Sequence, residues 1–339
     1  MSMEQSRFAI VLLQWFRQHG RDLPWRNTQD PYPIWLSEII LQQTRVQQGW
    51  EYWERFMQRW PNVEALAAAT EDEVLRLWQG LGYYSRARNM HFAARQIVAM
   101  GGFPNSYEGI RSLKGVGDYT AAAIGSMAFG LPTAVVDGNV YRVLARYFGV
   151  DTPINSTEGK KEFSMLAQEL LPATDAGTYN QAIMDFGAIQ CTPQSPQCMS
   201  CPLQESCCAL SEGRVSVLPV KLKKLKVKER HLSYIYIRCR NDRGGSPQVA
   251  MRRRGSGDIW QGLWEPVNME EYTPKGTTQL LVKGLKHVLT HRVLYCDFYF
   301  QEVKEKPMLP EGYQWIDETD LDQYALPRMM ELLFEKLPG

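Results

Sequence analysis

The amino-acid sequence predicts an all-α N-terminal half followed by an α+β C-terminal domain. Over residues 1–210, apolar residues recur at helical spacing between typical helix-ending residues. Beyond residue 230, short stretches rich in β-branched and aromatic residues alternate with turns. A chain of 339 residues is long enough for two domains, each with its own core.

Capping residues mark the predicted helices of the N-terminal half. Thr70 and Glu73 have the spacing of a capping box, which predicts a helix over 71–79. Gly101, Gly130 and Gly149 follow periodic runs and are typical of helix C-termini. These runs cover residues 85–100, 118–129 and 139–148. The spacing therefore predicts closely packed short helices.

The C-terminal domain is predicted to contain strands at 231–240, 248–252 and 293–300, and a short helix at 327–336. Residues 216–230 form a predicted linker with six basic residues and one acidic residue, Glu229. This linker is either a solvated hinge or a contact for DNA phosphates.

Whole-chain charge is uninformative, because a formal net charge of +1 neither favours nor excludes nucleic acid. The apolar run Phe8–Leu13 lacks a following cleavage site, and the longest apolar stretch, 121–136, is interrupted by Gly130 and Pro132. We therefore expect a cytoplasmic protein, nucleoid-associated if bacterial, that makes no membrane contact.

Four of the seven cysteines are clustered with the spacing C-x6-C-x2-C-x5-C: Cys191, Cys198, Cys201 and Cys207. Four converging thiolates can bind an iron–sulfur cluster or zinc, and this spacing favours iron–sulfur. Cys208 directly follows the last of them, which leaves the fourth ligand open.

A glycine pair precedes the Ala-rich helix that begins at Asp118, in Leu113-Lys-Gly115-Val-Gly117. Glycines at a helix N-terminus allow close approach of a ligand and point N–H groups outward, which suits a phosphate. A tight helix–helix turn without a ligand is the alternative.

Two carboxylates are candidates for catalysis. Helical spacing surrounds Glu38 with Ile34, Trp35 and Leu41, and burial there would raise its pKa toward that of a general acid. Asp137 precedes the next helix, whose N-terminus would stabilise the anion and lower its pKa. Opposite shifts in the pKa values of two carboxyl groups allow one to act as the acid while the other stays charged and acts electrostatically. A solvated helix residue and a plain N-cap are the alternatives.

Together these motifs resemble those of the adenine-removing MutY branch of the endonuclease III-like, helix-hairpin-helix DNA glycosylases. The resemblance rests on S-E-x-x-L-Q-Q-T from Ser37, on the Gly-Val-Gly hairpin, on V-D-G-N around Asp137 and on the cysteine loop. It implies a [4Fe–4S] cluster that is not the base-excision catalyst, and phosphate binding by Gly115 and Gly117. It also implies that Glu38 protonates adenine at N7 while Asp137 stabilises the cationic sugar.

The resemblance extends to residues that handle the flipped base. At the position of Tyr119, strand-cutting relatives have a lysine that forms a Schiff base, which tyrosine cannot do. Other matching positions insert beside the orphan purine or line the adenine pocket. The first set is Gln43, Thr44 and Tyr83; the second is Trp25, Arg26 and Gln181. On residue type alone, these could be an ordinary helix end, a turn and a surface arginine.

Two short stretches of the C-terminal domain also match. The segment 257–266 resembles the start of the Nudix-like domain of MutY enzymes, but the acidic metal-binding helix of a Nudix hydrolase is missing. The segment from His287 to His291 resembles the H-x-F-S-H loop that senses 8-oxoguanine, with Leu289 and Thr290 replacing Phe and Ser. The resemblance implies recognition by Thr290 and His291. Two strand-end histidines without a ligand are the alternative.

We therefore expect a catalytic region at 1–215, comprising a six-helix part at about 30–135 and a cluster part at 1–29 plus 136–215. A Nudix-like mispair-recognition domain would follow at 231–339. The expected protein is a monomeric glycosylase that removes adenine opposite 8-oxoguanine or guanine in double-stranded DNA, without efficient strand cleavage. Two rivals are a bifunctional pyrimidine-removing glycosylase, which Tyr119 disfavours, and a non-catalytic DNA-binding or electron-transfer protein, which Glu38 disfavours.

Overall fold

The computed structural model describes residues 3–222, 228–240, 245–289 and 292–338, with side chains from residue 7 onward. It confirms an all-helical N-terminal part and a C-terminal mixed sheet. The chain divides into two compact units, residues 1–67 with 92–224 and residues 68–91 with 225–339. The second unit thus takes in residues 68–91, which the sequence analysis places in the six-helix part.

The helices predicted at 71–79, 85–100, 118–129 and 139–148 lie close to those positions, and their ends follow local capping chemistry. The Thr70 side chain accepts a hydrogen bond from the Glu73 backbone N–H, and the Glu73 side chain accepts one from the Thr70 backbone N–H. The predicted capping box is therefore present. Gly130 and Gly149 adopt left-handed φ values of 64° and 68° at the ends of two helices. The helices are α1 Met3–His19, α2 Pro31–Ile40, α3 Val46–Arg59, α4 Val63–Ala68, α5 Glu71–Trp78, α6 Ser85–Ala99, α7 Tyr107–Arg111, α8 Asp118–Phe129, α9 Gly138–Phe148, α10 Thr157–Leu170, α11 Ala176–Asp185, α12 Cys208–Ser211 and α13 Arg328–Phe334.

The core of the first unit is built around α8, on which α2, α7 and α11 pack. Residues 120–126 of α8 are buried, and their small side chains allow the neighbouring helices to approach closely. A second layer brings α1 and α9 against α11. Because α2, α8 and α9 all meet here, the residues at their ends can converge on one site. No helix among the described residues is long and apolar enough to cross a membrane.

The second unit contains a six-stranded sheet with the order β4-β5-β1-β3-β2-β6. Only β1 and β5 pair in parallel, from Lys228 beside Arg292 to Cys239 beside Val303, and the other neighbouring pairs are antiparallel. Buried Met329, Met330 and Leu333 of α13 pack on one face. The strands are β1 Lys228–Cys239, β2 Gln248–Arg253, β3 Trp264–Asn268, β4 Gln279–Val288, β5 Arg292–Val303 and β6 Tyr313–Asp317. Of these, β3, β4 and β6 were not predicted.

Candidate active site

Four polar side chains from separate elements meet in the first unit. Glu38 lies near the end of α2, Tyr119 in the first turn of α8 and Asp137 at the N-cap of α9. Arg26 ends the short 3-10 helix Pro24–Arg26. All three neighbours act on the pKa of the Glu38 carboxyl, one through a hydrogen bond and the other two through their charges. The structure therefore brings together both carboxylates that the sequence predicted.

Burial is the main influence on Glu38 and raises its pKa to about 7. The Tyr119 hydroxyl and the positive charge of Arg26 lower this value, whereas the negative charge of Asp137 raises it. Ile34 and Trp35, four and three residues before Glu38, are almost fully buried, but Glu38 itself keeps some accessible surface. The predicted rise in the pKa of Glu38 is confirmed. The carboxyl also has a polar partner, the Tyr119 hydroxyl, which the predicted apolar surroundings did not include.

Asp137 is an N-cap, as its position predicted. Its Oδ1 accepts hydrogen bonds of 2.8 Å from the backbone N–H groups of Asn139 and Val140, and its Oδ2 accepts one of 2.8 Å from the Asn139 side chain. The predicted lowering of its pKa was wrong. Burial raises the pKa of Asp137, and this effect exceeds those of the hydrogen bonds and of Arg142.

Tyr119 presents a neutral hydroxyl to the same site. Burial, followed by the charges of Glu38 and Asp137, raises its pKa well above the ordinary value. The hydroxyl donates to Glu38 and lies 3.4 Å from the Met184 sulfur of α11. It therefore stabilises the ionised form of Glu38, a contact that the sequence did not reveal.

Asp185, at the end of α11, holds Arg26 through its carboxylate. Asp185 was not among the predicted site residues. The Arg26 Nη1 and Nη2 bond the two carboxylate oxygens at 2.7 and 2.9 Å, and the Arg26 side chain is only 10% exposed. Asp185 is fully buried and also binds Arg21. Burial would raise the pKa of Asp185, but hydrogen bonds from Arg26 and Arg21 lower it overall. The surface alternative for Arg26 is thereby excluded.

The other predicted pocket residues differ in their surroundings. Trp25 is buried, with ring centroids 5.7 Å from Trp50 and 5.3 Å from Trp53, so it anchors the Pro24–Arg26 turn. Gln181 is half-buried on α11, one turn before the helix end. Trp25 thus acts on the site through the segment it holds.

Two of the predicted base-stack residues have a left-handed backbone, which is uncommon for a residue other than glycine. Gln43 has a φ of 58° and is exposed, and Thr44 beside it is half-buried. Tyr83 has a φ of 47° and a 45% exposed side chain. Gln43 belongs to the first unit and Tyr83 to the second. Such strained, exposed positions are often functional.

The glycine hairpin joins α7 to α8 as predicted. Leu113 and Val116 are buried and anchor the turn, whereas Gly115 and Gly117 are exposed. Gly115 has a φ of 81°, which requires glycine. Gly117 is the N-cap of α8, and a Cβ placed on it would have open space around it. The first N–H groups of α8 are therefore available to an anion.

The four predicted cysteine ligands line a single cavity, together with Arg146, three glutamines and three apolar residues. Burial and the neighbouring thiols raise the pKa of Cys201 to about 11, so the loop gathers thiols that a metal would deprotonate. The described residues hold no group of three or more Cys, His, Asp or Glu already in metal-binding geometry. The four thiols that line this cavity match a four-iron cluster in donor type and number. Cys208 is not part of this lining and faces Gly149.

Two buried arginines of α9 hold the cysteine loop, and the sequence analysis missed both. Arg146 donates to the carbonyls of Thr192, Pro193 and Leu218 at 2.8 to 3.1 Å, and its Nη1 lies 3.5 Å from the Cys191 sulfur. Arg142 donates to the carbonyls of Cys191 and Gly187 and to the side chain of Asn139. Arginines four residues apart on an apolar helix face were the available signal. The helix that begins at Asp137 thus also carries the supports of the loop.

An open cleft of about 630 Å³ lies within the second unit. It is lined by the turn 80–85, by the loop 258–261, by residues 287–289 and by three arginines, Arg88, Arg292 and Arg328. Burial, followed by the charge of Arg328, lowers the pKa of His287. Tyr83 is part of this lining. The predicted recognition residues Thr290 and His291 lie outside the described residues.

Three family models match the chain. They are the HhH-GPD superfamily base excision DNA repair protein at residues 36–172, the iron–sulfur binding domain of endonuclease III at 191–207 and the NUDIX domain at 234–336. These matches confirm the helix-hairpin-helix and Nudix-like regions. The match at 191–207 spans all four predicted ligands and confirms the [4Fe–4S] cofactor.

Solved structures support the helical fold. A thermostable thymine-DNA glycosylase shares 31% identity with a TM-score of 0.58, covering 62% of this chain and 97% of its own. A trapped endonuclease III–DNA covalent intermediate has a TM-score of 0.54 at 22% identity, covering 63% of this chain and 99% of its own. The second likeness shows the fold alone.

Curated relatives carry one description, adenine DNA glycosylase. The mouse protein is 45% identical over 226 residues, which are 62% of this chain but 44% of the relative, so this chain spans less than half of it. A Buchnera aphidicola protein (subspecies Baizongia pistaciae) is 32% identical over 85% of this chain and 84% of its own length. Another (Schizaphis graminum) is 34% identical over 76% and 73%. The chain therefore belongs to the adenine DNA glycosylase (MutY) family.

Proposed function

We propose that this protein hydrolyses the N-glycosidic bond of adenine mispaired with 8-oxoguanine, or with guanine, in duplex DNA. The observation that carries this proposal is a carboxyl with a pKa of about 7, Glu38, next to a second carboxylate, Asp137. Cleavage of a glycosidic bond needs a proton on the leaving group and negative charge near the oxocarbenium-like sugar. This pair supplies both.

In the proposed reaction, Glu38 donates its proton to N7 of the flipped adenine. With a pKa of about 7, Glu38 keeps a substantial protonated fraction at neutral pH, so the acid form is available as the glycosidic bond breaks. The C–N bond breaks with its electron pair moving to the protonated base, which leaves as neutral adenine. Asp137 stabilises the cationic sugar. The backbone N–H groups of Asn139 and Val140 hold the Asp137 carboxylate in place. Water adds to the sugar and returns a proton to Glu38.

The site offers no amine for covalent catalysis at the Tyr119 position. A Schiff base requires a lysine or an N-terminal amine, and a phenol cannot replace it. The Tyr119 hydroxyl instead bonds Glu38 and keeps the carboxyl oriented. We therefore expect an abasic site as the product, without strand cleavage by the enzyme.

The iron–sulfur loop has a structural part in this scheme. Cys191, Cys198, Cys201 and Cys207 would hold the [4Fe–4S] cluster, which cross-links the loop when bound. Arg142 and Arg146 bond the carbonyls at the start of this loop. They tie it to the helix that begins at Asp137.

The hairpin and the two left-handed residues provide the DNA contacts of the proposal. Backbone N–H groups after Gly115 and Gly117 would bind a phosphate at the N-terminus of α8. Gln43, Thr44 and Tyr83 would fill the space left by the flipped adenine and contact its partner. Arg26 and Gln181 would line the adenine pocket.

The cleft of the second unit is our candidate for recognition of the opposite base. Two of its arginines, Arg292 and Arg328, suit the DNA backbone, and exposed Tyr83 can stack on a base. Burial favours the neutral form of His287, which can accept as well as donate a hydrogen bond. Thr290 and His291 would supply the polar contacts to 8-oxoguanine.

The proposal is tested with four duplexes, in which adenine faces 8-oxoguanine, guanine or thymine, and thymine faces guanine. We expect excision of adenine opposite 8-oxoguanine and, more slowly, opposite guanine. The double variant Thr290→Ala/His291→Ala should bring these two rates closer together, with Glu162→Gln on the exposed face of α10 as control. Removal of thymine in place of adenine would refute the substrate. An unchanged preference in the double variant would refute the recognition loop.

A further inference from the structure

Residues 68–91 pack with the sheet as one compact unit, although the helical family model covers them. They contain α5, the turn that follows it and the first part of α6. Gly80 and Gly82 have φ values of 96° and 70° and Tyr83 has a φ of 47°, so three of the four residues 80–83 are left-handed. This run needs outside support, because left-handed backbone at a tyrosine is costly.

Arg253 at the end of β2 provides one support. Its Nη2 lies 2.9 Å from Glu71 Oε1 and 3.0 Å from Asp72 Oδ1, both in the first turn of α5. Its Nε donates to the Gly262 carbonyl at 3.2 Å. One guanidinium therefore joins the start of α5 to the loop before β3. A planar fork with several donors suits this bridging role.

The loop 257–262 provides the second support. The Gln261 carbonyl accepts a hydrogen bond from Arg88 of α6. Gly262 has a φ of 81°, and a Cβ on it would lie 3.3 Å from Leu75 and 3.4 Å from Glu71. Glycine here allows the loop backbone to lie directly against α5.

The region around α13 holds the turn from the other side. The Tyr84 hydroxyl donates to the Leu326 carbonyl and accepts from the Gly80 N–H, both at 3.3 Å. The Gln79 amide donates to the carboxylate of Glu331 in α13. The residues on both sides of Tyr83 are therefore bound to the sheet unit.

We propose that Arg253 and Arg88 are positioning residues that hold the Tyr83 turn on the sheet and thereby set discrimination of the base opposite adenine. This inference rests on the proposed function. The sheet unit would then affect discrimination of the opposite base in two ways, by positioning Tyr83 and through Thr290 and His291. Neither arginine touches the reacting adenine in this scheme, so both act through the turn.

The test uses Arg253→Glu, which repels both acidic residues of α5, and Arg253→Lys, which keeps the charge. Arg240→Glu is the matched control, because Arg240 forms a similarly exposed pair with Glu302 at 3.4 Å in the same unit. Amide hydrogen exchange of residues 79–84 reports on the turn. Single-turnover excision opposite 8-oxoguanine and guanine reports on preference. If Arg253→Glu does not fold, Arg253→Ala replaces it with the same expected direction.

We expect faster exchange in Arg253→Glu, and a preference for 8-oxoguanine reduced by roughly two- to fivefold, the size of one exposed ion pair. The maximal rate opposite 8-oxoguanine should change less than about twofold, and Arg253→Lys should retain most of the preference. Unchanged exchange in Arg253→Glu, or an equal effect of Arg240→Glu, would overturn the proposal. If no variant or wild type excises adenine, the proposed function fails, and the exchange result still decides whether Arg253 holds the turn.

Discussion

Replacing Glu38 by glutamine should make the protein inactive and, at alkaline pH, more stable. Glutamine has nearly the same size but cannot ionise or donate the proton. In the folded protein, burial raises the carboxyl pKa from the ordinary 4.5 to about 7, so the folded state disfavours the ionised form. The contribution of Glu38 to stability is therefore greatest below pH 4.5, and it is lost as the pH rises through 7.

The size of this effect follows from the two pKa values. At 1.36 kcal/mol for each pKa unit, the full penalty is about 3 kcal/mol above pH 7. About 1.4 kcal/mol of it is already present at pH 5.5, because the unfolded chain is ionised there. Between pH 5.5 and 8.5, the stability advantage of Glu38→Gln over wild type should therefore grow by about 2 kcal/mol.

Urea unfolding of both proteins at these two pH values measures the change, and the subtraction removes contributions from other titrating groups. Glu162→Gln, an exposed substitution on α10, should show no pH-dependent difference from wild type. A Glu38→Gln difference that is the same at both pH values would refute the raised pKa. Retained excision by this variant would refute the role of Glu38 as the acid.

Three further predictions concern Asp137 and Tyr119 beside Glu38 and Arg146 at the cysteine loop. Asp137→Asn should still cap α9, because asparagine is a good N-cap, but single-turnover excision should slow by about 10²- to 10³-fold; a near-normal rate would contradict its role at the sugar. For the wild type, the excision rate should fall above pH 7. Because the Tyr119 hydrogen bond lowers the pKa of Glu38, its loss in Tyr119→Phe should raise that pKa and move the decline to higher pH. An unmoved pH–rate profile would exclude the contact. Arg146→Ala should leave three carbonyls of the cysteine loop region without a donor, which should lower the free energy of unfolding by roughly 3 kcal/mol or more. The iron content per chain should therefore drop, whereas it should not drop in Arg95→Ala on the exposed face of α6. Equal iron content in both variants would contradict this role of Arg146.

Local signals in the sequence predicted four helices of the N-terminal half close to their observed bounds, at 71–79, 85–100, 118–129 and 139–148. The capping box at Thr70 and the glycines at 130 and 149 act within one helical turn, so neighbouring residues suffice to predict them. The unpredicted strands lack such signals. Pro266 interrupts β3, and exposed lysines and Gly284 interrupt the alternation of β4, whose partner β5 defines it as a strand.

Tertiary contacts explain what the sequence could not predict at the site. Helix-end chemistry predicted a lowered pKa for Asp137, but burial by distant segments reversed the direction. Arg26 and Asp185 are 159 residues apart, so nothing local indicates that they form a pair. The hydrogen bond between Tyr119 and Glu38 likewise depends on the packing of α2 against α8. By contrast, the cysteine spacing and the glycine hairpin were readable because each lies within one short segment.

The central claim is that this chain excises adenine with Glu38 as the acid and leaves the strand intact. Its most direct test is a single-turnover reaction of the cluster-loaded protein on a duplex with adenine opposite 8-oxoguanine, analysed with and without alkali. We expect strand breaks at adenine only after alkali treatment, and none with Glu38→Gln under the same conditions. Breaks without alkali would contradict the monofunctional mechanism, and an absence of breaks after alkali with wild-type protein bound to the duplex would contradict the glycosylase itself.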